Sequence, residues 1–195
     1  MVVVDPSITA KTERLLLRPL RMDDAADIVL MRENPEVMLH TPTLPSSDLS
    51  SCQAWIQGCH DAPNNWNFAI ELLPTFSFSY PSEALSNQPR VIGMMGAVRA
   101  PEIGYMLNQQ YWGKGIATEA LRAFMPLFWK HYSGENGAER FAYSEAHVDY
   151  SLMRSQNVLK KVGFRLLEVR EKDFENPVLG WRDSHIYRME RPEGC

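Results

Sequence analysis

Hydrophobic positions along the chain recur at two spacings, which together predict alternating strands and helices. Short runs that are apolar throughout, or that alternate between apolar and polar residues, are typical of strands. Seven runs have this character: residues 13–20, 67–73, 91–98, 102–107, 141–146, 164–169 and 186–189. The last two are expected to pair as an antiparallel unit that closes the domain.

Four further stretches place apolar residues three and four positions apart, the spacing of a helix with one buried face. They start after Asp23-Asp24, after residues 46–48, near residue 116 and near residue 151. Pro126 falls inside the third stretch. We expect it to kink or disturb that helix, because proline removes one ladder hydrogen bond.

The segments between these elements are of several kinds. Gly163 follows the fourth helix and suits the left-handed residue that ends many helices. Residues 34–45, with three prolines, are expected to be a loop with a short turn, and residues 171–183 an irregular connection. Residues 74–89, rich in Ser, Pro and aromatics, form either a surface insertion or a flap over substrate. No internal repeat interrupts the pattern, so residues 1–195 are predicted to form one mixed α/β domain.

The composition is that of a soluble globular protein, since 45% of the 195 residues are hydrophobic and 23% are charged. The formal net charge of −4 and the pI of about 5.7 argue against general nucleic-acid binding, which needs a basic face. No apolar run approaches the roughly 20 residues of a membrane span. The apolar residues 1–4 are followed at once by Asp5-Pro6, so the run is too short for a secretory signal.

Cys52 and Cys59 lie about 10 Å apart along a predicted helix, too far for a disulfide. A reduced, cytoplasmic protein is the expectation.

The strongest chemical signal is at residues 110–118, Gln-Tyr-Trp-Gly-Lys-Gly-Ile-Ala-Thr. This stretch lies between the strand at 102–107 and the third helix. Gly113 and Gly115 leave backbone N–H groups unobstructed by Cβ atoms, and a helix N-terminus stabilises anions. The loop therefore predicts a site for a phosphate-bearing cofactor. A Walker loop is disfavoured because no Gly-Lys-Ser/Thr follows at the required spacing, and a dinucleotide fold because its loop follows the first strand.

Three motifs, in sequence order, resemble the GNAT acyltransferase superfamily. Residues 13–20 resemble its first strand. Gln110-x-x-Gly113-x-Gly115 matches its Gln/Arg-x-x-Gly-x-Gly/Ala signature, within a region that resembles the branch of ribosomal-protein N-terminal (alanine and serine) acetyltransferases. Ser-x-x-Val-Leu-x-Lys-x-Gly-Phe at 155–164 resembles the ending of that branch. The resemblance covers nearly the whole chain and is weak over three segments: residues 35–45, 74–89 and 171–183.

This resemblance implies a mixed, mostly antiparallel sheet of about six or seven strands with flanking helices, splayed between the fourth and fifth strands. It also implies acetyl-coenzyme A as cosubstrate and no metal. Amides of residues 111–116 would hold the pyrophosphate, and the pantetheine arm would pair with the backbone of Met106 and Leu107, where an N–H would stabilise the oxyanion. The implied cofactor-binding residues are Met106, Leu107, Gln110, Tyr111, Trp112, Gly113, Lys114, Gly115, Ile116, Ala117 and Asn157.

The acceptor amine must be neutral to attack, so a base near the cleft is expected. Glu102, at the start of the fourth strand, is the leading candidate; Glu145, His147 and a water relay are the alternatives. Ser155 matches the serine of this branch that stands near the leaving thiolate, and it is the candidate acid.

One position departs from the family pattern. The branch has an asparagine three residues before its serine, in contact with the pantetheine, whereas this chain has Leu152, whose side chain makes no hydrogen bond. Asn157 is the available substitute, although helical geometry points it elsewhere.

Two functions follow from these residues. The first is an N-acyltransferase that moves an acetyl group directly to a primary amine, on a protein N-terminus or a small molecule. The second is a non-catalytic coenzyme A-binding module that kept the scaffold. The intact glycine loop and Ser155 favour the enzyme, and Leu152 favours the module. A homodimer is a further expectation, since dimers are common among proteins of this type.

Overall fold

The computed structural model describes residues 5–73, 90–135 and 139–194, and it places them in one mixed sheet with helices on both faces. The strands are β1 (Ala10–Lys11), β2 (Leu15–Pro19), β3 (Trp66–Leu72), β4 (Val91–Arg99), β5 (Glu102–Leu107), β6 (Tyr143–Asp149), β7 (Arg165–Asn176) and β8 (Gly180–Glu190). The helices are α1 (Ala25–Arg32), α2 (Pro35–Met38), α3 (Leu49–Asp61), α4 (Ile116–His131) and α5 (Met153–Val162). The predicted segment at 74–89 lies outside the described residues.

The sheet has the order β1-β2-β3-β4-β5-β6-β8-β7, and every neighbouring pair is antiparallel except β5 and β6. Those two parallel strands share one recorded pair of Cα partners, Glu102 and Glu145. Beyond it they separate toward their carboxyl ends, Leu107 and Asp149. The predicted splay between the fourth and fifth strands is confirmed, and these strands are β5 and β6 of the structure. The numbering shifts, and the sheet has eight strands, because the two-residue β1 pairs with β2.

Two clusters of buried side chains cover the two faces of the sheet. The larger includes α4 and α5 residues and an aromatic group in which Trp66, Phe68 and Phe124 meet at ring-centroid distances of 4.6 to 5.9 Å. The smaller joins α1 and α3 to the other face. Successive residues of β5 therefore face opposite helices: Tyr105 packs on the first cluster and Met106 on the second.

Helix α4 runs without interruption through Pro126 to His131. The expected disturbance does not end the helix, because buried residues lie on both sides of the proline. Phe124 and Met125 precede it, and Phe128 and Trp129 follow it, all within 4% exposure. Their packing on the sheet holds the helix across the missing hydrogen bond. No helix of the described residues is long and apolar enough to cross a membrane.

The expectation of an irregular connection at 171–183 is wrong. Residues Arg165–Asn176 and Gly180–Glu190 form one long antiparallel hairpin, with breaks in register after Leu166 and after Arg170. Strand β7 is exposed along almost its whole length, so its sequence is charged on both faces and lacks the alternation that marks a half-buried strand. The two β-bulges also change which face of the strand the following side chains point to, so any remaining alternation is broken.

Candidate functional site

The loop between β5 and α4 is fixed to the end of β5 by side-chain contacts. Asn108 caps the short turn at Gln109–Tyr111, accepting a hydrogen bond from the Gln110 N–H at 3.1 Å. The indole Nε1 of Trp112 donates to the carbonyl of Leu107 at 2.9 Å, and Tyr111 is 2% exposed. These aromatic rings hold the loop in place, and rigidity of this kind favours anion binding.

Both glycines of the loop have left-handed backbone conformations. Gly113 has φ of +73°, and a Cβ added there would meet no atom within 4 Å, so it would project into open space. Gly115 has φ of +77° and is the N-cap of α4, with no side-chain hydrogen bond at the cap. Open space beside the N-terminus of a 16-residue helix suits a phosphate group.

Arg14, just before β2, anchors the loop from the other side. Its Nη1 donates to the carbonyl of Lys114 at 2.9 Å, and its Nη2 lies 2.6 Å from Glu119 Oε2. Burial opposes ionisation of Glu119, but hydrogen bonds from Thr12 and Arg14 outweigh it, so the pKa of this carboxyl lies below its ordinary value. In the sequence, Arg14 belongs to the first strand motif, and no local pattern connects it with the loop.

The predicted acid, Ser155, bonds to Tyr105 of β5. The phenol and hydroxyl oxygens are 2.7 Å apart, and the phenol also donates to the Ser155 carbonyl at 3.0 Å. Burial raises the pKa of Tyr105 to about 12, with the Ser155 hydrogen bond acting in the opposite direction. This contact thus joins β5, one strand of the cleft, to α5, the helix that follows β6, the other strand.

Leu152 is the N-cap of α5 and offers no side-chain cap hydrogen bond. Its carbonyl accepts from the Ser155 N–H at 3.1 Å, so this position supports the start of the helix through its backbone. Asn157 is exposed and lies two residues beyond Ser155, about 200° around the helix. A cofactor contact for Asn157 stays a prediction.

The three sequence-derived base candidates lie together where β5 and β6 pair. Glu102 is 2.7 Å from Arg99, and Glu145 is 2.5 Å from Arg188. His147 Nε2 lies 3.8 Å from Glu145 Oε2. Each carboxylate is therefore already engaged by a guanidinium, and the group as a whole stands at the closed end of the cleft.

A segment that sequence reasoning assigned no role lies across the open end of the cleft. We call residues 34–41 the strap. At its start, the Asn34 amide donates to Gln109 Oε1 at 2.9 Å, just past the end of β5. At its other end, the Asn176 amide donates to the carbonyls of Leu39 and Thr41, both at 2.9 Å.

Within the strap, the ring of His40 faces the end of β6. Its Nδ1 lies 3.4 Å from Oδ2 of Asp149, an ion-pair distance that is longer than a well-formed hydrogen bond. Asp149 also accepts from the N–H and hydroxyl of Ser151 and from Arg182, whose Nε is at 2.9 Å. Burial opposes ionisation of Asp149, but the contacts from Arg182, Ser151 and His40 hold its pKa well below the usual range. The nearest sequence signal was the histidine itself, in a segment outside the recognised motifs.

The described residues include no group of three or more His, Cys, Asp or Glu side chains placed to hold a metal ion. Cys52 and Cys59 are buried free thiols, and burial raises the pKa of Cys59 to about 11.

Comparison with known proteins agrees with this geometry. A family model of the acetyltransferase (GNAT) domain matches residues 14–165. The uncharacterised N-acetyltransferase p20 of Bacillus licheniformis is 28% identical over 123 residues, a match that covers 58% of this chain and 62% of that protein. The chain thus spans less than two thirds of the length of this curated relative.

Two solved structures share the fold. RimJ of Mycobacterium smegmatis, in complex with CoA-disulfide, has a TM-score of 0.73 at 21% identity and covers 95% of this chain and 88% of its own. The spermidine N-acetyltransferase of Vibrio cholerae, in complex with CoA and spermine, has a TM-score of 0.71 at 14% identity, with coverage of 92% and 96%. The family match spans the glycine loop, the parted strands and the start of the closing hairpin. This chain belongs to the GNAT acetyltransferase family.

Proposed function

We propose that this protein transfers an acetyl group from acetyl-coenzyme A directly to a primary amine. The observation that carries the proposal is the open, left-handed glycine loop at 113–115, fixed at the N-terminus of α4 beside the parted strands β5 and β6. Acetyl-coenzyme A, when bound, supplies the acetyl thioester and a thiolate leaving group.

The roles proposed for this chain's residues follow the cleft. Backbone amides of residues 111–116 bind the pyrophosphate, and the backbone of Met106 and Leu107 pairs with the pantetheine arm. An N–H of that strand stabilises the oxyanion that develops during attack. Ser155, bonded to the Tyr105 phenol, returns a proton to the thiolate. Glu102 acts in the acceptor half of the reaction, either as the base or as a carboxylate that holds a part of the acceptor distant from the reacting nitrogen.

The charges of the acceptor side favour a peptide N-terminus over a polyamine. On the two described strands of the cleft, β5 and β6, the carboxylates are Glu102, Glu145 and Asp149, and each is paired with an arginine. A polyamine carries several positive charges and needs carboxylates that are not already paired with arginine. A peptide N-terminus brings a single positive charge. This balance supports a protein N-terminus as the acceptor, with a small-molecule monoamine as the alternative.

The competing function, a coenzyme-binding module without turnover, rests on Leu152 in place of the family asparagine. Thermal unfolding with acetyl-coenzyme A and with free coenzyme A tests binding first. Thiol release and mass spectrometry, with peptides that start in Ala or Ser, with spermidine and with a simple monoamine, then test transfer. We expect stabilisation by both nucleotides and acetylation of a peptide. Stabilisation without transfer to any amine would favour the module, and no stabilisation would remove both functions.

A further inference from the structure

The parallel strands of the cleft fix which side chains stand level with one another. Glu102 and Glu145 are Cα partners, and Met106 and Asp149 each lie four residues further along their strands. Four residues of strand span about 13 Å. Met106 is thus at the level of Asp149, while the predicted base Glu102 is about 13 Å away toward the closed end. If the reacting carbonyl sits at Met106 and Leu107, as the proposed function requires, a base is needed at the level of Asp149.

The strap places a titratable group at that level. Val37 packs in the same cluster as Met106 of β5, and three residues later His40 faces Asp149 of β6. The strap therefore passes from one arm of the cleft to the other on the face covered by α1 and α3. Its ties to Gln109 and Asn176 fix it at both ends.

The environment of the ring selects one tautomer. The Nδ1 atom of His40 is buried and makes no hydrogen bond within normal limits among the described residues, and its nearest charged atom is Oδ2 of Asp149 at 3.4 Å, whereas 19% of the side chain remains exposed. A proton on Nδ1 is attracted by that carboxylate, which leaves the lone pair on Nε2. Asp149 from β6 is the charged group that faces the ring, and Arg182 from β8 pairs with that carboxylate and keeps it ionised.

We propose that His40 is the catalytic base and that Asp149 is its positioning residue. The nitrogen lone pair of the neutral amine forms the C–N bond to the acetyl carbon, and the C–S bond breaks with its electron pair leaving on sulfur. The proton lost by the amine nitrogen passes to Nε2 of His40, which releases it to solvent. The thiolate takes the proton of the Ser155 hydroxyl, and Ser155 is reprotonated from solvent, so the proton lost by the amine and the proton gained by sulfur balance.

The kinetic test compares His40→Asn with His60→Gln. In His40→Asn, the amide nitrogen takes the place of Nδ1 and keeps the contact with Asp149, but the second ring nitrogen is lost. His60 lies on α3 and bonds to the Leu20 carbonyl at 3.0 Å, away from the cleft, so its variant is the matched control. We expect kcat of His40→Asn to fall about 100-fold or more. Acetyl-coenzyme A affinity, measured by calorimetry, should be unchanged in both variants, and kcat unchanged in His60→Gln.

A second measurement needs no acceptor and separates this proposal from the proposed function. Long-range ¹H–¹⁵N spectra of the whole protein report the tautomer of each imidazole. We expect the neutral His40 ring to carry its proton on Nδ1, and Asp149→Asn to shift the ring toward the Nε2–H form. Failure of every amine to react would count against the proposed function alone. A neutral His40 protonated on Nε2 in the wild-type protein, or full kcat in His40→Asn, would overturn the assignment of His40 as base.

Discussion

The phenol of Tyr105 and the hydroxyl of Ser155 are 2.7 Å apart, a contact that joins strand β5 to helix α5 across the face opposite the strap. The pKa of Tyr105 is raised to about 12 by burial, so the phenol stays protonated throughout the neutral range. When Ser155 gives up its proton, the Tyr105 phenol can therefore donate a hydrogen bond to the serine oxygen without itself ionising. The two hydroxyls together form the acid side of the proposed reaction.

Replacing Tyr105 by Phe removes this donor and keeps the ring. We expect kcat to fall about 10-fold, or roughly 1.4 kcal/mol in the activation barrier. The free energy of unfolding should fall by about 1 kcal/mol for the lost hydrogen bond. Steady-state kinetics and urea unfolding measure the two effects.

Tyr187→Phe is the matched control for that substitution. Tyr187 is 1% exposed and donates to Gln156 Oε1 at 3.1 Å, so its variant should cost a similar amount of stability. Its kcat should stay at the wild-type value. If Tyr105→Phe retained full kcat as well, the phenol would have no part in the proton path.

Gly113→Ala tests the phosphate loop. The left-handed backbone costs an alanine about 1–2 kcal/mol, and the new methyl group points into the open space above the loop. We expect acetyl-coenzyme A affinity, measured by calorimetry, to fall at least about 10-fold, or about 1.4 kcal/mol. In Gly58→Ala, the methyl group also enters open space, but on helix α3. That variant should gain about 0.5–1 kcal/mol of stability and bind normally. Equal affinity in the two variants would exclude the loop as the phosphate site.

Glu102→Gln separates the two roles proposed for this carboxylate. If Glu102 is the base, the substitution lowers kcat. As a residue that holds a more distant part of the acceptor, it would raise KM for the amine and leave kcat nearly unchanged. Glu102 lies about 13 Å from the level of Met106, so we expect kcat to stay nearly unchanged. KM for the amine should rise about 10-fold, and acetyl-coenzyme A affinity should be unaltered. A large loss of kcat with constant KM would restore Glu102 as the base.

Asp149 should contribute stability that depends on pH in a defined direction. Its pKa is depressed in the folded protein relative to about 3.9 in the unfolded chain. The unfolded chain therefore binds the proton first, and the stabilisation is complete above about pH 5 and declines as the pH falls below 4. Asp149→Asn should lower the free energy of unfolding by about 1.5–3 kcal/mol at pH 7, with a smaller difference at pH 3. Urea unfolding at both pH values measures this, and Asp173→Asn, on exposed β7, is the control. A deficit equal at the two pH values would contradict the linkage.

The local parts of this molecule were readable from the sequence. Strand Glu102–Leu107 and helix Leu49–Asp61 occur where the apolar spacing predicts them, and Gly163 ends α5 with φ of +114°, as expected of its position. In each case, a few neighbouring residues determine the conformation. The glycine loop belongs to the same class, since Gly113 and Gly115 adopt the left-handed backbone that their lack of a Cβ permits.

The acceptor side was not readable for the opposite reason. His40 gains its proposed role from Asp149, 109 positions later in the chain, and Asn176 holds the carbonyls of its neighbours Leu39 and Thr41. Local periodicity carries no information about such pairs. The antiparallel pairing of β7 with β8 was predicted, but the extension of both strands through residues 171–183 was not, because an exposed strand with two bulges has no apolar alternation to detect.

The strap is tied to the rest of the molecule by the side chains of Asn34, Asn176 and the pair His40 and Asp149, and not by the hydrogen-bond ladder of the sheet. With the strap at the border of the proposed acceptor site, substitutions in residues 35–39 can reshape that border and leave the proposed nucleotide site at 113–115 intact. Acceptor preference can diverge between relatives at this edge, one side chain at a time, under a constant donor chemistry.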